Sequence, residues 1–187
     1  TPGNTAIQKY MNAKKVPQLF VATGATQFGN PKEFPWTMGW QPNYQSEGRI
    51  YAKYILDKHP NGKIGILYQN DDYGKDYLKG MKEGLGAKAA TMIVSELPYE
   101  VLKPAGLEAT KGILSTGYIK DSTDPTWKDD AGMKEWIAFM DKYLPEGDKT
   151  SSFTVYGYAV GQSLVQVLKQ AGNELTRENV MKQAANL

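Results

Sequence analysis

The residues able to do chemistry are few, and their types favour binding over turnover. His59 is the only histidine and there is no cysteine. Zinc sites and Ser-His or Cys-His nucleophile pairs therefore cannot be assembled from this chain. His59 precedes Pro60 at a predicted helix end, where its charge complements the helix dipole. Asp71 and Asp72 are adjacent, so their side chains diverge, and capping of the following helix is the role their position offers. The acidic loop from Asn70 to Asp76 fails as a calcium loop. Aligning Gly74 with that motif's invariant glycine puts Gln69, Tyr73 and Gly80 where oxygen ligands are needed. No Walker A motif and no G-x-G-x-x-G occurs. Neither a catalytic set, a metal nor a cofactor is expected.

What remains is a pattern of binding. Gly3, Asn4 and Thr5 form an amide-rich helix start, and Thr23-Gly24-Ala25-Thr26 is a loop of small residues that brings backbone amides and hydroxyls close to a partner. With aromatics nearby, this suits a small molecule with an anionic end and a flat apolar body. The plainer alternative is that Thr23–Thr26 is an ordinary strand-to-loop turn. Phe34, Trp36 and Trp40 lie on a stretch broken by Pro31, Pro35 and Pro42. They either line a cleft or fasten a linker to its own domain.

These residues need elements to hold them. Lys63 to Tyr68 reads as an apolar strand covered on both faces, as in a parallel sheet. Asp71 and Asp72 cap the helix after it, with Tyr73, Tyr77, Leu78, Met81 and Leu85 on one face and Gly84 and Gly86 at its end. Ligands gather beyond the carboxyl ends of parallel strands, which makes this mouth a candidate site. Upstream, Asn4 or Thr5 caps a helix through about Lys14, and Val16 to Ala22 is a strand. The Pro-rich stretch from Asn30 to Asn43 is an extended crossing, neither helix nor central strand. Ser46 caps the next helix. Downstream come strands over Ala90–Leu97 and Gly112–Ile119. An amphipathic helix over Met133–Tyr143 has Trp136, Ile137, Met140 and Tyr143 inward. Thr154–Ala171 is a long apolar helix whose Gly157 and Gly161 pack closely on a sheet, and Thr176 caps a final helix.

Composition bounds the class. The 187 residues are 41% hydrophobic, enough to bury a core. With 22 basic and 20 acidic residues the formal charge is +2, too slight for nucleic acid. No stretch approaches the roughly 18 apolar residues of a membrane span.

The runs VPQLFVATGAT, FPWTMGWQPNYQSEGRIYAKYIL, KIGILYQNDDYGKDYLKGMKEGL and KPAGLEATKGILSTGYIKDSTDP resemble the periplasmic solute-binding receptors of the branched-chain amino acid ABC transporter type. The resemblance implies an α/β fold of the type I periplasmic binding class. Its two Rossmann-like (flavodoxin-like) lobes have parallel sheets flanked by helices and are here only partly present. Residues 1–42 belong to lobe 1, 43–117 to lobe 2 and 118–187 return to lobe 1. Trp36–Tyr44 and Tyr118–Pro125 would be crossings between lobes. The Gly24 backbone, Ala25 and the Thr26 hydroxyl would meet the ligand from the first lobe, and Tyr73 from the second. Gly3, Asn4 and Thr5 would hold its carboxylate, with backbone amides at Gly3 where many relatives carry serine. The implied partners are a small solute, either an aromatic carboxylate or a hydrophobic amino acid, and a membrane permease. The implied location is periplasmic or otherwise extracytoplasmic, with a lipid anchor, and the complete receptor is expected to be a monomer. Tyr73, Trp36 and Trp40 tilt the solute toward an aromatic acid.

The resemblance also implies strand–helix units before Thr1, further second-lobe strands between Tyr99 and Leu102, and a stretch after Leu187. The short Pro- and Gly-broken run after Leu97 is less than the crossover of about 10 to 12 residues that parallel neighbours need. Residues are thus expected to be missing near 99–102, and the 187 residues alone to bind solute weakly or not at all. Two rivals stand beside this reading: a sensory or regulatory domain on the same lobes, and an enzyme on a doubly wound sheet.

Overall fold

A computed structural model describes residues 2–86, 89–93 and 116–187. The expected break between Tyr99 and Leu102 lies outside them, as do residues 94–97 and 112–115 of the two strands expected on either side of it. The chain divides into two units, Thr1–Val94 with Val167–Leu187, and Ser95–Gln166.

The first unit is α/β. Helix α1 spans Pro2–Ala13, strand β1 Gln18–Val21, β2 Thr37–Gly39, α2 Tyr44–Lys58, β3 Ile64–Leu67, α3 Asp72–Leu85 and β4 Ala89–Ile93. The strands form two parallel pairs, β1 with β2 and β3 with β4. Pro2 opens α1, where a missing N–H costs nothing, so Asn4 and Thr5 lie inside the helix and do not cap it. Its last turn closes with Lys15 at φ 51° and a Val16 N–H bond to the Met11 carbonyl.

The Pro-rich crossing is not extended throughout. Residues 31–33 turn and Thr37–Gly39 pairs with β1, while a 3₁₀ turn, Thr26–Gly29, precedes the crossing. Two prolines fall before β2 and one after it, so none removes a ladder donor. The pairing shifts register between Gln18 and Val21, and within that interval Phe20 adopts φ 54°. One extra residue on β1 makes a bulge, which bends a strand and re-aims the chain at its carboxyl end. At that end lies the Thr23–Thr26 loop.

Asn43, not Ser46, caps α2. Its Oδ1 accepts from the Gln45 and Ser46 N–H groups at 2.9 and 3.3 Å. Helices α2 and α3 pack closely through a glycine seam. A methyl group on Gly48 would come within 2.9 Å of the Tyr77 carbonyl, and one on Gly80 would strike the Gln45 carbonyl. Gly84 lies within α3 against Ala52, so Gly86 alone ends the helix, at φ 59°. The core of the unit joins Val21, Phe28, Tyr44, Tyr51, Ile55, Tyr77, Met81 and Leu85. Leu67 is 64% exposed, so β3 is not covered on both faces by the described residues.

The second unit holds α4, Ala131–Tyr143, and the first part of α5, Ser152–Ala171; α6, Arg177–Ala184, belongs to the first. Met133, Trp136, Met140 and Val155 form its core. Ile137 and Tyr143, expected inward, are exposed, and Tyr143 packs on the Phe139 ring at 4.9 Å. Asp130 caps α4, and Lys120 pairs with the same carboxylate. Thr116–Ile119 carry no strand. Gly157 and Gly161 meet nothing within 4 Å, so no described element packs closely there. No described helix is long and apolar enough to cross a membrane.

Candidate functional site

Strands β1 and β2 run parallel, and the residues following both bound one concavity of about 140 Å³. Thr23, Gly24 and Ala25 come from the loop after β1, Gly39 and Gln41 from the end of β2, with Phe28 and Met38 as apolar lining. This is the place where parallel sheets ordinarily hold ligands.

Hydrogen bonds fix the loop. The Thr23 hydroxyl accepts from the Ala25 N–H at 3.2 Å, and the Gly24 carbonyl accepts from the Tyr44 N–H at 2.9 Å. That second bond draws the chain so near the loop that a side chain on Gly24 would collide with the Pro42 carbonyl and the Tyr44 ring. The Gly24 N–H has no hydrogen-bond partner among the described residues, although Gly24 is buried.

Thr26 is held at two points. Its N–H donates to Asp76 Oδ2 at 2.6 Å and its hydroxyl accepts from Asn43 Nδ2 at 3.2 Å. Asp76 Oδ1 also accepts from Gln45 Nε2 at 2.7 Å. One turn earlier on α3, Asp72 accepts from the Thr5 hydroxyl at 3.2 Å, while Gln27 Nε2 donates to the same Thr5 oxygen at 2.6 Å. Asp71 makes the cap, accepting from the Gly74 N–H.

The structure thus gathers Thr5, Thr26 and Tyr73 around the start of α3 and ties Gly24 to them through Tyr44, while the Ala25 N–H bonds to Thr23. Tyr73 stands edge-on to Tyr44 at 4.9 Å and to Tyr77 at 5.1 Å. Its ring is part of a packed aromatic trio and does not line the concavity; nor do Trp36 and Trp40. Gly3 is exposed with open space around it, and Asn4 turns to β1, where its Oδ1 accepts from Gln18 Nε2 at 3.3 Å. Neither joins the loop.

Sequence reasoning does not single out Asn43, Gln45 or Asp76. Asn43 had a signal, since asparagine is among the best N-caps and this one follows a proline. Asp76 sits four residues after Asp72 and so shares its helical face, but nothing in the sequence says which segment that face meets. Among the described residues no group of three or more His, Asp or Glu side chains is placed to hold a metal.

Compared with protein-family models, curated proteins and solved structures, the chain matches none.

Proposed function

We propose that this chain is part of a non-catalytic solute-binding receptor of the branched-chain amino acid ABC importer type, extracytoplasmic, with the type I two-lobe fold. Its solute bears a carboxylate on a small apolar body. The observation that carries the reading is a concavity at the carboxyl ends of two parallel strands, lined by Gly24, whose N–H has no hydrogen-bond partner among the described residues. A carboxylate oxygen is the natural acceptor for such a donor, and a charge-assisted bond there is stronger than a neutral one. Phe28 and Met38 supply apolar lining for the rest of the solute.

The concavity is smaller than the roughly 300 Å³ at the lower end of ordinary ligand sites. It suits the anionic end, and the remainder of the solute needs a second wall. In a receptor that wall arrives by hinge closure, stabilised because the solute contacts both sides, and the closed form is what a permease would detect. The lining favours neither an aromatic acid nor a leucine-like amino acid.

The test is a ¹⁵N–¹H titration with benzoate, 4-hydroxybenzoate, leucine and valine at millimolar concentration, with benzamide as the uncharged control. The Gly24, Ala25 and Thr26 amides are expected to shift with at least one carboxylate, not with benzamide, and the compound is recovered unchanged. Absence of a shift refutes the carboxylate site at Gly24, and an equal response to benzamide or turnover of the compound refutes the reading as a whole.

A further inference from the structure

Of the described side chains that line the concavity, all but one are already committed. Gly24, Gly29 and Gly39 present no side chain, and Ala25 only a methyl group. Thr23 and Gln41 each donate to the Tyr44 hydroxyl at 3.4 Å. Asn43 serves the α2 cap and the Thr26 hydroxyl. Phe28 is 1% exposed within the core of the unit. Met38 is left: it lines the concavity, is half-buried and stands outside that core cluster.

The backbone that carries Met38 is held on both sides. Thr37 and Gly39 pair with Gln18 and Val21 of β1. The Thr37 hydroxyl accepts from Asn12 Nδ2 at 2.7 Å and donates to Gln18 Oε1 at 3.3 Å, and neighbouring side chains on a strand point to opposite faces. A fixed strand thus mounts an unbranched side chain with three rotatable bonds, the type that adapts best to irregular apolar shapes.

We infer that Met38 is the specificity-determining residue of the candidate site, setting how large an apolar body can accompany the carboxylate. The inference rests on the carboxylate-binding reading above and deepens it. Its neighbours cannot serve the purpose: a change at Phe28 opens the core, and one at Gly24 collides with Pro42 and Tyr44. Met38 can change length or shape without unmaking a hydrogen bond. A solute whose carboxylate reaches the Gly24 N–H lays its apolar part along Met38, and the reach of that side chain limits the bulk accepted.

The experiment uses two pairs of carboxylates that differ in apolar bulk, valine with leucine and benzoate with 4-tert-butylbenzoate. Each is titrated at millimolar concentration into the chain labelled with ¹⁵N and with ¹³C at the methionine methyl groups, Met38 being assigned from Met38→Leu. In the wild-type protein, a readout that needs no folded variant, the Met38 methyl is expected to shift with the same ligand and over the same concentration range as the Gly24 amide. In Met38→Ala the larger member of a responding pair is expected to gain on the smaller by about fivefold or more, the worth of one or two methylene groups in an apolar pocket. A Met38 methyl that stays put while Gly24 responds, or an unchanged ratio in Met38→Ala, refutes the inference and leaves the site standing. No response at Gly24 to any of the four overturns the site itself, and the inference with it.

Discussion

Tyr77 donates its phenolic hydrogen to Glu47 Oε2 at 2.6 Å, in the buried interface where α3 crosses α2. Tyr51 donates to the other oxygen at 3.0 Å. A carboxylate in the core is costly unless its lone pairs are met, and here two phenols from two helices meet them. Removing the carboxylate takes the acceptor of both of these bonds at once, whereas removing one hydroxyl leaves the other bond in place. Glu47→Ala is therefore expected to lower unfolding free energy by about 3 kcal/mol and Tyr77→Phe by about 1 to 2 kcal/mol. Urea denaturation followed by circular dichroism checks both, and equal losses would contradict the shared-acceptor arrangement.

Glycine is required at some helical positions and wasted at others. Gly80→Ala places a methyl group into the Gln45 carbonyl and should cost about 1 to 3 kcal/mol by overpacking. Gly157→Ala, with open space around it, should stabilise by about 0.5 to 1 kcal/mol through helix propensity alone. Thermal melts of the two variants should move in opposite directions.

Acid acts on α4 through its cap. The Lys120 ammonium, hydrogen-bonded to Asp130, together with the Met133 N–H, holds the Asp130 carboxyl below its ordinary 3.8. A depressed carboxyl stabilises the folded state above its unfolded value, and that contribution disappears as pH falls through the folded one. Asp130→Asn keeps a capping side chain but not the charge. The stability gap between wild type and variant is expected at neutral pH and should close as pH falls from about 5 toward 2. Unfolding curves across that range decide it, and a pH-independent gap would show that the charge is not responsible.

At Gly24 the expectation is loss of both fold and site. Gly24→Ala must push the Pro42 carbonyl and the Tyr44 ring aside, so the melting temperature falls and the loop amides cease to respond to carboxylates. Survival of that response would mean the loop tolerates what its packing forbids.

The α/β character and the helix positions were legible because apolar periodicity and caps at Asp71 and Thr176 are local signals. The loop at Thr23–Thr26 was legible too, as a cluster of small residues after a strand. Partners across the chain were not. Tyr73 was legible as part of the apolar face of α3, but nothing local says that the rings it meets are those of Tyr44 and Tyr77. Gly84 read as a terminator because glycine composition does not distinguish a helix end from a helix crossing. The bulge at Phe20 escaped for a different reason: a bulky aromatic is among the least expected residues at positive φ, so its sequence argued against what the pairing imposes.

Asn43 has two ends with two employers. Its carbonyl oxygen starts α2 and its amide nitrogen holds the Thr26 hydroxyl. Among good N-capping side chains asparagine serves both tasks here: aspartate keeps the cap and loses the donor, and serine keeps a shorter cap and no longer spans the gap. The wall of the concavity and the onset of the helix are thus a single inherited trait. A replacement that keeps both tasks must supply an acceptor to α2 and a donor to Thr26 from one side chain.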